Sequence, residues 1–179
     1  MHVDDFLWAG TKWFENTIVG TIRNHFKIKK QHCNVFKYIG MNIEQGEDGV
    51  VVHQDDYCKT LQAIELHSSR LKNKDFVCTD EEREKFRSLV GQLGWLCTNS
   101  CPDLSFEVLE LSTKIKNTKI GDIVEANKCL RKACLLVSKT HFPKLDHLNF
   151  CKLVVYSDAS HANLSNGVSS AGGFIVFSC

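Results

Sequence analysis

At 179 residues, with 43% apolar and 24% charged side chains, the chain has the composition of ordinary globular protein, and its length allows one or two domains. A net charge of +1 provides no global field toward nucleic acid, and no apolar run approaches the roughly 20 residues that a membrane-spanning helix needs. Nine cysteines, an odd number with no C-x-x-C pair and no secretory leader, point to reduced, mostly buried thiols in a reducing compartment rather than to a disulfide framework or a zinc site.

In chain order, Val3 to Gly10 reads as a turn followed by a strand, with Asp4 and Asp5 side by side just before Phe6-Leu-Trp8. Asp is depleted in strands and favoured in turns, so the pair forms a hairpin turn, holds a metal, or does both. Thr11 can cap a helix whose apolar stripe is Phe14, Ile18, Ile22 and Phe26, widened by Trp13 and Val19. Phe36 to Ile43 alternates in part like a strand, and a glycine-bracketed turn at Gln45–Gly49 connects it to a second strand, Val50–His53. From Asp55 the period turns helical, with Tyr57, Leu61 and Ile64 on one face. Asp55-Asp56 repeats the paired aspartates at a helix start, where carboxylates favour the dipole.

Thr79-Asp-Glu-Glu82 is a capping box that opens a helix through about Cys97, with the stripe Phe86, Leu89, Val90, Leu93 and Leu96. Pro102 suits the first turn of a helix running through Phe106, Leu109, Leu111 and Ile115. A further helix is predicted over about 122–138, with Val124, Leu130, Cys134 and Val137 on one side. His141 to His147 reads as a linker. Leu153–Asp158 and Gly173–Phe177 are strands. Two stretches are locally basic. Residues 21–40 hold Arg23, Lys27, Lys29, Lys30 and Lys37 without an acid, and residues 114–132 hold six bases against Asp122 and Glu125. Such patches can track a phosphate backbone or be merely solvated.

Val3-Asp-Asp followed by Phe-Leu-Trp-Ala-Gly10 resembles the catalytic hairpin of reverse transcriptases, usually Tyr-x-Asp-Asp. Phe36-Lys-Tyr-Ile-Gly40, Gly49-Val-Val-Val-His-Gln54 and Tyr57 resemble the hairpin that follows the palm in copia-type retrotransposon Pol polyproteins. Gly91-Gln-Leu-Gly-Trp95, Pro102-Asp-Leu-Ser-Phe106 and the stretch from Asp122 to Leu130 resemble the helical segments next in that order. Val155-Tyr-Ser-Asp-Ala-Ser160 with Ser169 to Phe177 resembles the start of the family's ribonuclease H domain.

The resemblance implies an α+β fold in three parts. Residues 1–54 would be the C-terminal part of the reverse transcriptase palm, a partial palm hairpin with a helix and a β-hairpin. Residues 55–140 would be a helical thumb and connection bundle, and residues 151–179 a truncated ribonuclease H-like strand pair. It implies Asp4, Asp5 and Asp158 as catalytic, metal-binding carboxylates for Mg²⁺ or Mn²⁺. It also implies nucleic-acid contacts at Tyr38, Gly40, Lys27, Lys29, Lys30, Lys128, Arg131 and Lys132. The expected partners are an RNA/DNA template–primer duplex and the rest of the polyprotein, with no membrane. The expected location is cytoplasmic, extending to the nucleus or virus-like particles, and not secreted.

His2 stands where the family has Tyr, and 21 residues follow Asp158 without an Asp or Glu. The ligand count falls short of a two-metal site. The chain is therefore expected to be inactive alone, as a slice of an RNA-directed DNA polymerase/ribonuclease H polyprotein. The alternative is a non-catalytic nucleic-acid-binding module or a decayed structural remnant.

Overall fold

The computed structural model describes residues 6–28, 30–136, 139–145, 151–162, 164 and 167–178. Asp4, Asp5, Lys29 and Val137 lie outside them. The fold mixes helices with two antiparallel sheets.

Phe6 to Gly10 have no regular structure, so the strand expected there does not form among the described residues. Thr11 does cap the first helix, accepting from the Phe14 N–H. That helix runs as α1 (Lys12–Phe14), a π turn (Glu15–Val19) and α2 (Gly20–His25). The wider π turn moves the inward face by one residue. Val19 is buried as expected, but Ile18 is 40% exposed. Phe26 lies beyond the helix in extended conformation and is 63% exposed.

The main sheet has four antiparallel strands in the order β1 (Val35–Tyr38), β2 (Met41–Gln45), β3 (Gly49–His53) and β4 (Lys139–Pro143). The single strand expected over residues 36–43 is a hairpin of its own. Ile39 and Gly40 have φ of 49° and 75°, and Tyr38 pairs with Met41 across them. Positive φ at both central residues is the type I′ turn that matches strand twist. A β-branched residue is a poor donor of that conformation, so the sequence concealed it.

The second correction is β4. His141 to Pro143, read as linker, pair with β3, Val50 opposite Phe142 and Val52 opposite Thr140. Both sides of this pairing are rich in β-branched or aromatic residues, but the partners are far apart in sequence. The sheet therefore spans the boundary expected at residue 54. β4 can approach only because Gly49, at φ 144°, has no side chain. A Cβ there would run into the Phe142 carbonyl oxygen and lie 2.9 Å from Pro143 Cα.

Between β3 and β4 lies the helical core, with α3 (Asp55–Thr60), α4 (Ser68–Leu71), α5 (Asp80–Asn99), α6 (Ser105–Thr113) and α7 (Ile120–Leu136). The stripe expected for α5 is buried in full, with Phe86 and Leu93 completely enclosed. Each such side chain contributes on the order of 2–3 kcal/mol. A 3₁₀ turn at Pro102–Leu104 buries Leu104, and α6 buries Val108 and Leu111 and leaves Phe106 51% exposed. α7 buries Ile120, Ile123, Ala126, Leu130 and Ala133, so Val124 is only half-buried and Cys134 is exposed.

Tyr57, Leu61 and Ile64 do face this core, but the helix stops at Thr60 and the chain continues extended. Asn127 of α7 holds that strap. Its Oδ1 accepts from the Ile64 N–H at 2.8 Å, and its Nδ2 donates to the Ile64 carbonyl at 2.9 Å. The two bonds imitate a strand partner and satisfy both buried backbone groups.

A separate two-stranded ribbon, β5 (Lys152–Ser160) and β6 (Ser170–Ser178), follows. Leu153, Val155, Tyr156 and Ile175 are exposed on it. Cys58, Cys78, Cys97, Cys101 and Cys129 are buried, as expected. Cys151 departs from the expectation of reduced thiols, being disulfide-bonded at the base of β5. No Cys spacing in the sequence signals it.

The capping box of α5 is present in both directions. Glu82 Oε2 accepts from the Thr79 N–H at 2.8 Å, and Arg70 grips the same carboxylate at 2.7 and 3.1 Å. The Arg70 guanidinium holds the Glu82 carboxyl below its ordinary pKa, helped by the Thr79 N–H. A lowered folded value adds stability above the unfolded carboxylate pKa of about 4.3, and that stability fades as pH falls through the folded value. Glu82→Gln should therefore cost about 1–2 kcal/mol at pH 7 in urea unfolding, with the gap from wild type closing toward pH 3.

Gly49→Ala should cost roughly 2–3 kcal/mol, because positive φ and backbone collision act together. Gly46→Ala, in the same turn with open space around it, should be nearly neutral in the same urea titration.

Candidate nucleic-acid interface

The candidate surface starts at the joint where the sheet enters the helices. β3 ends at His53, Gln54 follows, and α3 begins at Asp55 with two aspartates in its first turn. The His53 ring is buried between two carboxylates. Nε2 lies 3.1 Å from Glu44 Oε1 with hydrogen-bond geometry. Nδ1 lies 3.1 Å from Asp55 Oδ2 without hydrogen-bond geometry.

Gln54 is 2% exposed, and its Oε1 accepts from Ser100 Oγ at 2.8 Å. This bond ties the strand–helix joint to the end of α5. Gln54 Nε2 has no hydrogen-bond partner. Gln54 lines a cavity of about 220 Å³ with Asp55, Cys58, Lys59, Ser100 and Cys134.

Lys37 of β1 pairs with Asp56 of α3, fixing the hairpin on the helix from outside. That ammonium holds the Asp56 carboxyl below its usual range. At the hairpin tip, Tyr38 is half-buried and Gly40 is exposed. A Cβ at Gly40 would lie 3.8 Å from Trp95 Nε1 of α5, so the turn is poised beside the long helix. Tyr38 and Gly40 are thus at one end of the sheet, next to the bundle. His53, Gln54 and Trp95 entered the sequence reading only as parts of resemblance motifs, with no site role, and Ser100 was not singled out; the available signal was Gln54 standing directly before a two-aspartate helix start.

The basic residues divide into engaged and unengaged groups. Arg23 lies 3.4 Å from Glu15, donates to Gln31 at 2.7 Å and stacks 6.0 Å from the Trp8 ring centroid. On α7, Lys128 pairs with Glu125 at 2.7 Å and Lys132 with Glu107 of α6 at 3.3 Å. Lys114 pairs with Glu110 and Asp122, and Lys119 with Asp75. Among the described residues, Lys27, Lys30 and Arg131 are exposed without an ion pair. The stretch over 114–132 is therefore less of a bare cationic track than its sequence suggests.

Asp158 is exposed in β5 opposite Gly172, and its Oδ1 accepts from the Ala159 N–H at 2.9 Å. Among the described residues, no three His, Cys, Asp or Glu side chains come together in an arrangement able to hold a metal ion. Asp158 alone does not make the ligand set of a Mg²⁺ or Mn²⁺ site. Burial pushes the thiols of Cys58 and Cys97 up to about 12 and those of Cys78 and Cys129 up to about 11, so these sulfurs rest as protonated thiols.

Over 154 residues the chain is 27% identical to a protein of Saccharomyces cerevisiae named for the transposon Ty5-1. This similarity supports a retrotransposon-related origin for the chain. The match covers 79% of this chain and 49% of the yeast protein, so the chain spans about half the length of the curated relative it matches. No protein-family model and no solved structure matches it. Among the described residues, no helix is long and apolar enough to cross a membrane.

Proposed function

We propose that the chain is the portion of a copia-type reverse transcriptase and ribonuclease H polyprotein that holds the template–primer duplex. The similarity to a transposon protein across most of the chain carries this reading. The architecture supports it. A tight hairpin with its tip at Tyr38–Gly40 is fixed by Lys37–Asp56 and Gln54–Ser100 onto a helical bundle. Such an arrangement can place a rigid turn against one end of a nucleic-acid duplex while the bundle flanks its backbone.

In this reading residues 35–53 steady the primer end, and Lys27, Lys30 and Arg131 contact phosphates. The helices from Asp55 to Leu136 act as thumb and connection, and β5–β6 is the first strand pair of ribonuclease H. Asp4 and Asp5 would be the polymerase carboxylates for Mg²⁺ or Mn²⁺, with Asp158 the first nuclease carboxylate. The single carboxylate at Asp158 favours duplex binding over chemistry as the activity of this chain itself.

The test is fluorescence anisotropy with a labelled RNA/DNA hybrid, alongside Mg²⁺-dependent primer extension. Three phosphate contacts predict an affinity loss of about 40-fold between about 50 and about 200 mM salt. Arg131→Glu should weaken binding and reduce the salt slope by about 1. No extension is expected. Salt-insensitive binding, or none, would refute the duplex reading; extension of the primer would refute inactivity.

A further inference from the structure

We propose that Cys58 and Cys134 form an oxidant-driven disulfide that locks α3 to α7. This site is independent of the duplex-binding reading. Both residues are thiols, and their sulfurs lie 3.0 Å apart although 76 positions separate them in sequence. A disulfide needs about 2.05 Å, so bonding requires about 1 Å of approach. Cys134 Sγ also lies 3.7 Å from the Cys58 carbonyl oxygen, which places it over the middle of α3.

The two thiols are unequal. Cys134 is exposed and Cys58 is buried, and both line the cavity at the strand–helix joint. Burial and the adjacent Cys134 sulfur push the Cys58 thiol up to about 12. Cys134 is therefore the sulfur that meets an oxidant first, and Cys58 is the resolving partner already in contact with it. Cys101 lines the same cavity but is buried.

The oxidant class is a small soluble disulfide such as glutathione disulfide. The Cys134 thiolate attacks one glutathione sulfur. The glutathione S–S bond breaks, a Cys134–glutathione bond forms, and one glutathione leaves as a thiolate that takes up a proton. Cys58 then attacks Cys134 Sγ as its proton passes to the departing second glutathione sulfur, and the mixed disulfide breaks. Two cysteine thiols are oxidised by two electrons, and one glutathione disulfide becomes two glutathione thiols.

The consequence follows from position. α3 directly continues β3, and α7 directly precedes β4. A bond between these helices closes a long loop and fastens the pairing of β3 with β4 from the helical side. Constraining so long a loop in the unfolded chain favours the folded state.

The experiment treats the full chain, reduced and then exchanged into glutathione disulfide, with alkylation and non-reducing tryptic mapping. The expected product joins the peptide of residues 38–59 to that of residues 133–139, and the oxidised chain has a higher Tm that dithiothreitol returns to the starting value. Cys134→Ser, a change at an exposed position, should remove both the linked peptides and the Tm shift. Glutathione retained on Cys134 with Cys58 still open to alkylation would overturn the proposal. So would a Cys101–Cys134 link, or a Cys58–Cys134 link that leaves Tm unchanged.

Discussion

The pairing of β3 with β4 is the constraint on which the rest of the structure depends. Residues 49–53 and 139–143 are adjacent in space but separated by the whole helical core. The helices are thus inserted between two neighbouring strands of one sheet, and their first and last members are fixed by the ends of those strands. Closing such a long connection costs entropy that grows only slowly with length. The sheet bonds, the buried α5–α6–α7 core and the Asn127 clamp together offset it. Gly49 is the local condition for the pairing, since β4 could not approach any residue with a Cβ there.

This arrangement explains why the joint at His53-Gln54-Asp55 is buried and rich in polar contacts. A strand turning directly into a helix leaves backbone and side-chain groups that must be matched in place. Ser100 matches Gln54, and Glu44 matches His53. The hairpin tip is then held at a fixed distance from the bundle instead of swinging on a linker. That rigidity suits the duplex-binding role proposed for this surface, where positioning contacts set register.

The legible parts of the sequence were those governed by local signals. The capping box at Thr79 and the 3.6-residue stripe from Phe86 to Leu96 specified α5 and its buried face, because cap and stripe act within one helix. The type I′ turn was hidden by Ile39, whose branched side chain disfavours the conformation it adopts. The strand at Lys139–Pro143 was hidden because its partner lies nearly ninety residues earlier and a proline ends it. Of the first helix's widened stripe, Val19 is buried as expected, while the π turn leaves Ile18 and Trp13 on the exposed side. Of the side expected for α7, Leu130 is buried, Val124 is half-buried and Cys134 is exposed, because α7 packs against α3, α5 and α6 and burial follows that packing more than periodicity.

The candidate surface was legible in residue type and only partly in availability. Lys128 and Lys132 are basic on an exposed helix face as the sequence suggests, but Glu125 and Glu107 engage them, and Glu107 belongs to another helix. The polar contacts that fix the hairpin, between Lys37 and Asp56 and between Gln54 and Ser100, likewise cross elements. The most direct test of the account is native-state amide exchange read residue by residue. If β3 and β4 close the helical core into one cooperative unit, the ladder amides of Val50, Val52, Thr140 and Phe142 open with the same free energy as the central amides of α5. If those strand amides exchange far faster while α5 stays protected, the sheet is a separate appendage and the account is wrong.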